Sequence, residues 1–454
     1  TDMRQMKYLT MVLLLGVSWQ LSARDTLRLT LEEAVQVALT ENPVVRIAGK
    51  EVERQYYFLK EAKGNLIPTL NASGSFSRNL KDSPMFMSGS MIEIFMGDQY
   101  PGEIPDVIAR RMAGTTNSYS ASVQLRAPLF SMGLYKSIAL SEVGVQMALE
   151  AARKSRLSLK NEVEKAFFGL MMAQNALEVM QKSLANAERN LSDARARYEQ
   201  GMAAEYDLIR SEVQVSNIRP SVLQAQDNVS LAGWQLRLLL GLDLQTPLQV
   251  LGDLSDYEPQ MLQYRQFPVD LSGNAELTQL GMQARQLHAQ LDLLKTNKMP
   301  SLYATGTYAM VSQNSDFKVQ HYQWLDSPSV GLSLSVPIFN GWTNQHKERQ
   351  VKLAMDQLSL QKESREQSLS LEARQAHIRM QQAVDQLQSN KDGMRQAGKA
   401  YDIAQTRYHN GIGTMLELND ADVALTQSKL NYHQSIFEFL KARSDFDLLT
   451  GKEQ

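Results

Sequence analysis

The chain is built twice. Asn65–Ser77 (NLIPTLNASGSFS) parallels Asn297–Tyr308 (NKMPSLYATGTY), and Val123–Gly133 (VQLRAPLFSMG) parallels Leu332–Gly341 (LSLSVPIFNG). Arg197–Met202 (RYEQGM) parallels Arg407–Ile412 (RYHNGI), and Leu239–Leu242 (LLGL) parallels Leu449–Lys452 (LTGK). Pro128 and Pro337 stand 209 residues apart; Gly201 and Gly411, like Gly241 and Gly451, stand 210 apart. A tandem duplication whose spacing drifts by one residue between Pro128 and Gly241 keeps a linear dimension. That suits long elements better than a globule with tolerant loops. The first copy alone carries a long insertion, at 80–117.

Each copy contains two segments of period two. In Thr69–Ser77, Leu70, Ala72, Gly74 and Phe76 oppose Asn71, Ser73, Ser75 and Ser77. The same alternation runs through Ser118–Ala127, Ser301–Met310 and Ser329–Val336. Each is about the 9–11 residues that a tilted strand needs to cross a bilayer. The polar faces are small and hydroxylic, as in a water-filled lumen, although an amphipathic sheet over a soluble core would alternate in the same way. Four strands cannot close a barrel, for which about eight are needed. An open edge in lipid would leave backbone donors unpaired. If the strands lie in a membrane, several chains share one barrel, and the arithmetic does not choose between two chains and three.

The rest reads as helices of unusual length. Gly133 to Gln200 holds no proline and is rich in strong helix formers. Leu177, Met180, Leu184, Ala187, Leu191, Ala194 and Tyr198 alternate spacings of three and four, as do Leu387, Asn390, Met394, Ala397, Tyr401, Ala404 and Tyr408. Both are heptad seams. Gly201 and Gly411 interrupt the pattern, and a second arm follows each. The spacing predicts two antiparallel hairpins with tips at 200–204 and 410–414, and shorter helices over Leu31–Thr40, Pro43–Gly64 and Ala275–Asn297. Pro220 falls inside one arm and should kink it.

Composition narrows the function. The 454 residues carry 47 Lys+Arg against 49 Asp+Glu, a net charge of −2 that argues against a nucleic-acid protein. Mean hydropathy is −0.33, which excludes a polytopic helical membrane protein but not a β-barrel. There is no cysteine, hence no disulfide, thiolate metal site or lipid-modified cysteine. Arg4 and Lys7 precede an apolar stretch, Leu9–Trp19, with small residues at Ser22 and Ala23; 1–23 reads as a secretory signal. The six histidines (288, 321, 346, 377, 409 and 433) show no metal-binding spacing, and nucleophile-elbow, phosphate-loop and dinucleotide patterns are missing. No cofactor and no enzymatic activity are expected.

With Leu29–Pro43 (LTLEEAVQVALTENP), Ala127–Phe130 (APLF), Val336–Phe339 (VPIF) and the paired Arg-Tyr-x-x-Gly tips, the sequence resembles the TolC-like outer-membrane efflux protein family over the whole chain beyond its signal. Each tip glycine is followed six residues later by an acid, Asp207 or Glu417. The resemblance implies a mainly α protein with a small β part. Long α-helical hairpins would form an α-barrel through the periplasm, and four strands per chain would join a shared twelve-stranded barrel in a homotrimer. It implies a passive export channel of the bacterial outer membrane that docks a periplasmic adaptor and an inner-membrane pump. The alternative is a non-transporting periplasmic coiled-coil scaffold.

The resemblance also implies site residues. Asp207, Arg210, Glu417 and Asp420 would form the periplasmic gate. Gln200, Gly201, Met202, Asn410, Gly411 and Ile412 would be the adaptor-contact tips. Six carboxylates from three copies of Glu417 and Asp420 would repel one another and attract cations. The family often has a basic residue two past the second tip glycine, where this chain has Gly413. The division expected is 24–66 N-terminal helices, 67–130 first strand pair, 131–241 first hairpin and 242–298 equatorial segment. The second strand pair (299–339), the second hairpin (340–450) and a tail (451–454) complete it. Met85, Met87, Met91, Met96 and Met112 in the insertion could bind Cu(I), but packing of an outer loop explains them as well, and no metal site is assigned.

Overall fold

The computed structural model describes residues 26–80, 85–86, 108–109, 116–264 and 269–452. The expected signal sequence and Met87, Met91, Met96 and Met112 lie outside the described residues. Among the described residues, no helix is long and apolar enough to cross a membrane. The chain forms two compact units, one of 1–54, 146–283 and 357–454, the other of 55–145 and 284–356.

The second unit holds a four-stranded antiparallel sheet of β2 (Thr69–Arg78), β5 (Asn117–Ser131), β7 (Ser301–Asn314) and β8 (Leu325–Ser335), in that order across the sheet. A short pair, β3 (Met85–Phe86) and β4 (Ile108–Ala109), lies within the insertion. The strands outrun the alternating segments at most ends, because ladder pairing continues past the last apolar residue; Val336 alone falls outside. Register keeps the two faces apart across all four strands. Leu70 pairs with Leu125, Leu125 with Gly306, and Gly306 with Val330. Asn71, Gln124, Thr307 and Ser329 align in the next row, on the opposite face. A one-residue slip would invert every side chain. On the polar face the hydroxyls of Ser73 and Ser122 lie 2.9 Å apart, and those of Ser75 and Ser120 2.8 Å apart. Leu70, Phe76, Leu125, Tyr308, Val330 and Leu332 are exposed on the apolar face.

The first unit is helical. β1 (Leu27–Leu29) pairs in parallel with β6 (Leu248–Val250). α1 (Leu31–Glu41) starts in a capping box: the Glu33 amide donates to Thr30 Oγ1 and the Thr30 amide donates to Glu33 Oε2. α2 (Pro43–Gly64) follows. The first hairpin is α3 (Met132–Glu199) and α4 (Glu205–Leu240). A short α5 (Glu258–Leu262) and α6 (Ala275–Thr296) lead to the second hairpin, α7 (Thr343–His409) and α8 (Met415–Thr450). The observed turns, 200–204 and 410–414, are those expected from the glycines. Pro220 is accommodated inside α4, which is assigned as helix without a break. The core gathers Phe167 and Met171 of α3, Leu236 and Leu240 of α4, Met380 of α7, Ile436 and Phe439 of α8, and Leu254 and Met261 from the segment around α5.

The duplication reappears as a joint. α4 and α8 end on Gly241 and Gly451, at φ 73° and 69°. An added Cβ would lie 2.9 Å from the Glu41 carbonyl at Gly241, and 1.9 Å from the Gly273 oxygen at Gly451. Beside each pinch an asparagine joins two helices. Asn42 Nδ2 donates to Leu239 O (2.7 Å) while its Oδ1 accepts from the Val44 amide. Asn274 Nδ2 donates to Leu449 O (2.8 Å) while its Oδ1 accepts from the Glu276 and Leu277 amides. One side chain thus satisfies a helix N-terminus and a neighbouring helix C-terminus together.

The heptad reading holds better in the second copy. Leu387, Tyr401 and Tyr408 are buried, as expected. In the first copy only Ala187 and Ala194 of the expected seam are. Leu177, Met180, Leu184 and Leu191 are half-buried and Tyr198 is exposed; the buried line is Asn175, Val179, Ser183, Ala187, Asn190 and Ala194. A long helix has two flanks, and the larger apolar stripe of α3 is not the one its own chain covers.

Candidate functional site

Two tight turns carry the expected tip residues. α3 and α7 both end on a left-handed glycine, Gly201 at φ 69° and Gly411 at φ 73°. The Gly201 amide donates to Tyr198 O and the Met202 amide to Arg197 O; Gly411 to Tyr408 O and Ile412 to Arg407 O repeat the pattern. This is the double-bonded helix stop that glycine favours. Met202 and Ile412 are 68% and 70% exposed, so each turn presents an apolar side chain to its surroundings. Gln200, Gly201, Asn410 and Gly411 are exposed with them.

The turns differ two residues on. At Gly413 an added Cβ would lie 2.9 Å from Arg407 Cβ and 3.0 Å from the Tyr408 nitrogen. The chain folds back on the end of α7 so closely that a side chain would displace it. Arg407 lies against the turn: its Nη2 donates to Ile412 O (3.3 Å) and lies 3.7 Å from Glu417 Oε2.

α8 begins at an N-cap, Thr414, whose hydroxyl accepts from the Glu417 amide at 3.2 Å. Its first turns are two-faced. Met415, Leu418, Asn419 and Asp422 are buried, and Met415 and Leu418 join Tyr401, Tyr408 and Ala194 in a small core. Glu417 and Asp420 are exposed on the other side, one turn apart. In the first hairpin, Asp207 and Arg210 are half-buried, and Arg210 Nη1 donates to Tyr206 Oη at 3.1 Å. Among the described residues no ion pair joins Arg210 to Glu417 or Asp420. Asp207 and Arg210 sit in the first turns of α4 and Glu417 and Asp420 in those of α8, and among the described residues no hydrogen bond or ion pair joins the one pair to the other.

Other residues couple the hairpins. Arg197 Nη2 donates to His409 O (2.6 Å), and its guanidinium stacks 4.9 Å from the Tyr408 ring centre. His409 Nε2 lies 3.7 Å from Asp193 Oδ2. Among the described residues the buried Tyr408 hydroxyl has no hydrogen-bond partner, and burial holds that phenol above its ordinary pKa. Further along, Asp422 Oδ2 accepts from Ser183 Oγ (2.9 Å) and its Oδ1 from Asn186 Nδ2 (2.8 Å), tying α8 to α3. Burial raises the Asp422 pKa; the bonds from Asn186 and Ser183 and the charges of Lys429 and Arg189 oppose the shift. Asp422 was legible as an acid inside an otherwise apolar line, Met415, Leu418 and Leu425. Arg197 was visible as part of the repeated Arg-Tyr-x-x-Gly tip, but its bond to the other hairpin carried no sequence signal.

Comparison with known proteins agrees with this architecture. The profile of the outer membrane efflux protein family matches residues 34–242 and 270–449. The probable efflux pump outer membrane protein TtgC of Pseudomonas putida is 23% identical over 406 residues, 86% of this chain and 76% of its own. Outer membrane protein TolC of Escherichia coli is 21% identical over 428 residues, 90% of this chain and 80% of its own. In fold, the chain resembles the CmeC outer membrane channel of Campylobacter jejuni at a TM-score of 0.72 and 16% identity, covering 93% of this chain and 85% of that one. With a profile match spanning both copies of the repeat, this chain belongs to the outer membrane efflux protein family.

Proposed function

We propose that three copies of this chain form a passive export channel of the outer membrane. Each would give four strands to one twelve-stranded barrel and two hairpins to an α-barrel in the periplasm. The observation that carries the reading is the sheet: β2 and β8 are each paired on one side only, while a continuous apolar face is exposed. Such a sheet satisfies neither its edges nor its apolar face alone. Sister copies complete the edges, and lipid covers the face.

The turns around Gly201 and Gly411 would meet a periplasmic adaptor through Met202 and Ile412, and an inner-membrane pump would supply the energy. Glu417 and Asp420, with Asp207 and Arg210 on the neighbouring hairpin, would line the periplasmic entrance. Repeated three times, the two acids make a ring that cations or protons neutralise, which favours closure.

Fractionation and crosslinking of the full chain test the proposal. The protein should sit in the outer membrane, require detergent, run as a crosslinked trimer and conduct in planar bilayers. A soluble monomer in periplasmic extract would overturn it in favour of the coiled-coil scaffold.

A further inference from the structure

Four rows of the polar face of the sheet carry neutral side chains with one exception. These rows run Thr69–Arg126–Thr305–Gly331, Asn71–Gln124–Thr307–Ser329, Ser73–Ser122–Ala309–Ser327 and Ser75–Ser120–Val311–Leu325. Arg126 is the only charged side chain in them. It is exposed, and among the described residues no carboxylate pairs with it. Its neighbours in the row are two threonines and a glycine. The guanidinium Cζ stacks 4.3 Å from the Tyr303 ring centre, which orients the group without neutralising it. β5 passes into α3 at Met132, so Arg126 sits near the helix-side end of the sheet.

We propose that Arg126 is an anion-attracting site on the channel wall. The inference rests on the channel reading, in which the apolar face meets lipid and the polar face lines the lumen. Three guanidiniums, one per copy, then form a ring of fixed positive charge in a wall otherwise neutral. A ring of basic side chains favours anions. Guanidinium matches carboxylate, phosphate and sulfonate groups with paired donors, so the ligand class is multivalent or organic anions, including the acidic groups of passing cargo. The site opposes in sign the acidic ring proposed at the periplasmic entrance.

The test uses full-length protein in planar bilayers, with Glu417→Gln/Asp420→Asn as the background so that the entrance acids do not set the selectivity. The readouts are the zero-current potential in a KCl gradient and block by hexacyanoferrate(II) added from the sheet side. The parent should be blocked. Arg126→Lys should keep the block, and Arg126→Gln should lose it and shift the zero-current potential toward cation preference. If the glutamine variant fails to assemble, Thr305→Glu places a carboxylate in the same row beside Arg126 and should abolish the block by neutralisation. Conducting trimers of either neutralised variant with unchanged block and potential overturn the proposal. A wild-type chain that forms no pore overturns the channel reading and this inference with it.

Discussion

Asp422 offers the sharpest test of how the second hairpin is held. Its buried carboxylate accepts from Ser183 and Asn186 on α3, so truncation to alanine strands two donors at a helix interface. Hydrogen bonds to a charged acceptor contribute about 1.5–3 kcal/mol each. The Ser183 hydroxyl can turn to its own helix, Asn186 is half-buried and can reach water, and the cost of burying a charge disappears. The net loss for Asp422→Ala is therefore about 1–3 kcal/mol. Asp422→Asn keeps an acceptor and removes the charge. Because burial raises the Asp422 pKa in the folded protein, its protonated form contributes stability at low pH, and that contribution is lost as pH rises through the folded pKa. Asp422→Asn should then match or exceed wild type at pH 7–8, with the gap closing on acidification. Arg189 and Lys429, the charges facing the site, and the Tyr401 phenol remain unchanged in this comparison. Thermal unfolding in detergent, followed by circular dichroism from pH 5 to pH 8, reads both differences. If Asp422→Asn loses as much as Asp422→Ala at pH 7, the ionised carboxylate is the stabilising species and the argument is wrong.

Three further outcomes are expected. Gly201→Ala should cost only the left-handed strain of about 1–2 kcal/mol, since nothing lies within 4 Å of its added Cβ, whereas Gly451→Ala, driven into the Gly273 carbonyl, should abolish assembly; trimer yield on mild electrophoresis separates them. Glu258 accepts from Lys391 Nζ (2.5 Å) and Tyr432 Oη (2.6 Å), bonds that lower its pKa, so its contribution is present at neutral pH and lost as pH falls through the folded value. Glu258→Ala should expose the segment around α5 to limited proteolysis at pH 7, with a smaller difference from wild type at pH 4. Replacing Glu417 and Asp420 together by alanine removes the repulsion that opposes closure, so it should lower single-channel conductance and weaken its dependence on divalent cations; unchanged currents would remove both from the gate.

Much of the fold is local physics and so was readable in one dimension. Period-two alternation identifies the strands because side chains of a strand alternate whatever their partners. The tips follow from Gly201 and Gly411, since a left-handed stop suits glycine in any context. The duplication doubles each signal. What depends on partners was not readable in that way. Alternation marks two faces but leaves strand order and register open, and only the ladder aligns the serines and isolates Arg126. An apolar stripe on α3 says that something covers it, without saying which neighbour; the hairpin takes the Asn175–Ala194 line and leaves Leu177 and Leu184 half-buried. Asn42 and Asn274 look like ordinary N-caps until the ends of α4 and α8 arrive against them. The sequence by itself determined the four sheet strands, the long helices with their turns and the twofold repetition, because those obey short-range sterics and periodicity. The tertiary structure alone decided which faces meet, which donors Asp422 finds on α3 and that Arg126 has, among the described residues, a ring and no carboxylate beside it, because these depend on groups far apart in the chain coming within a few ångströms.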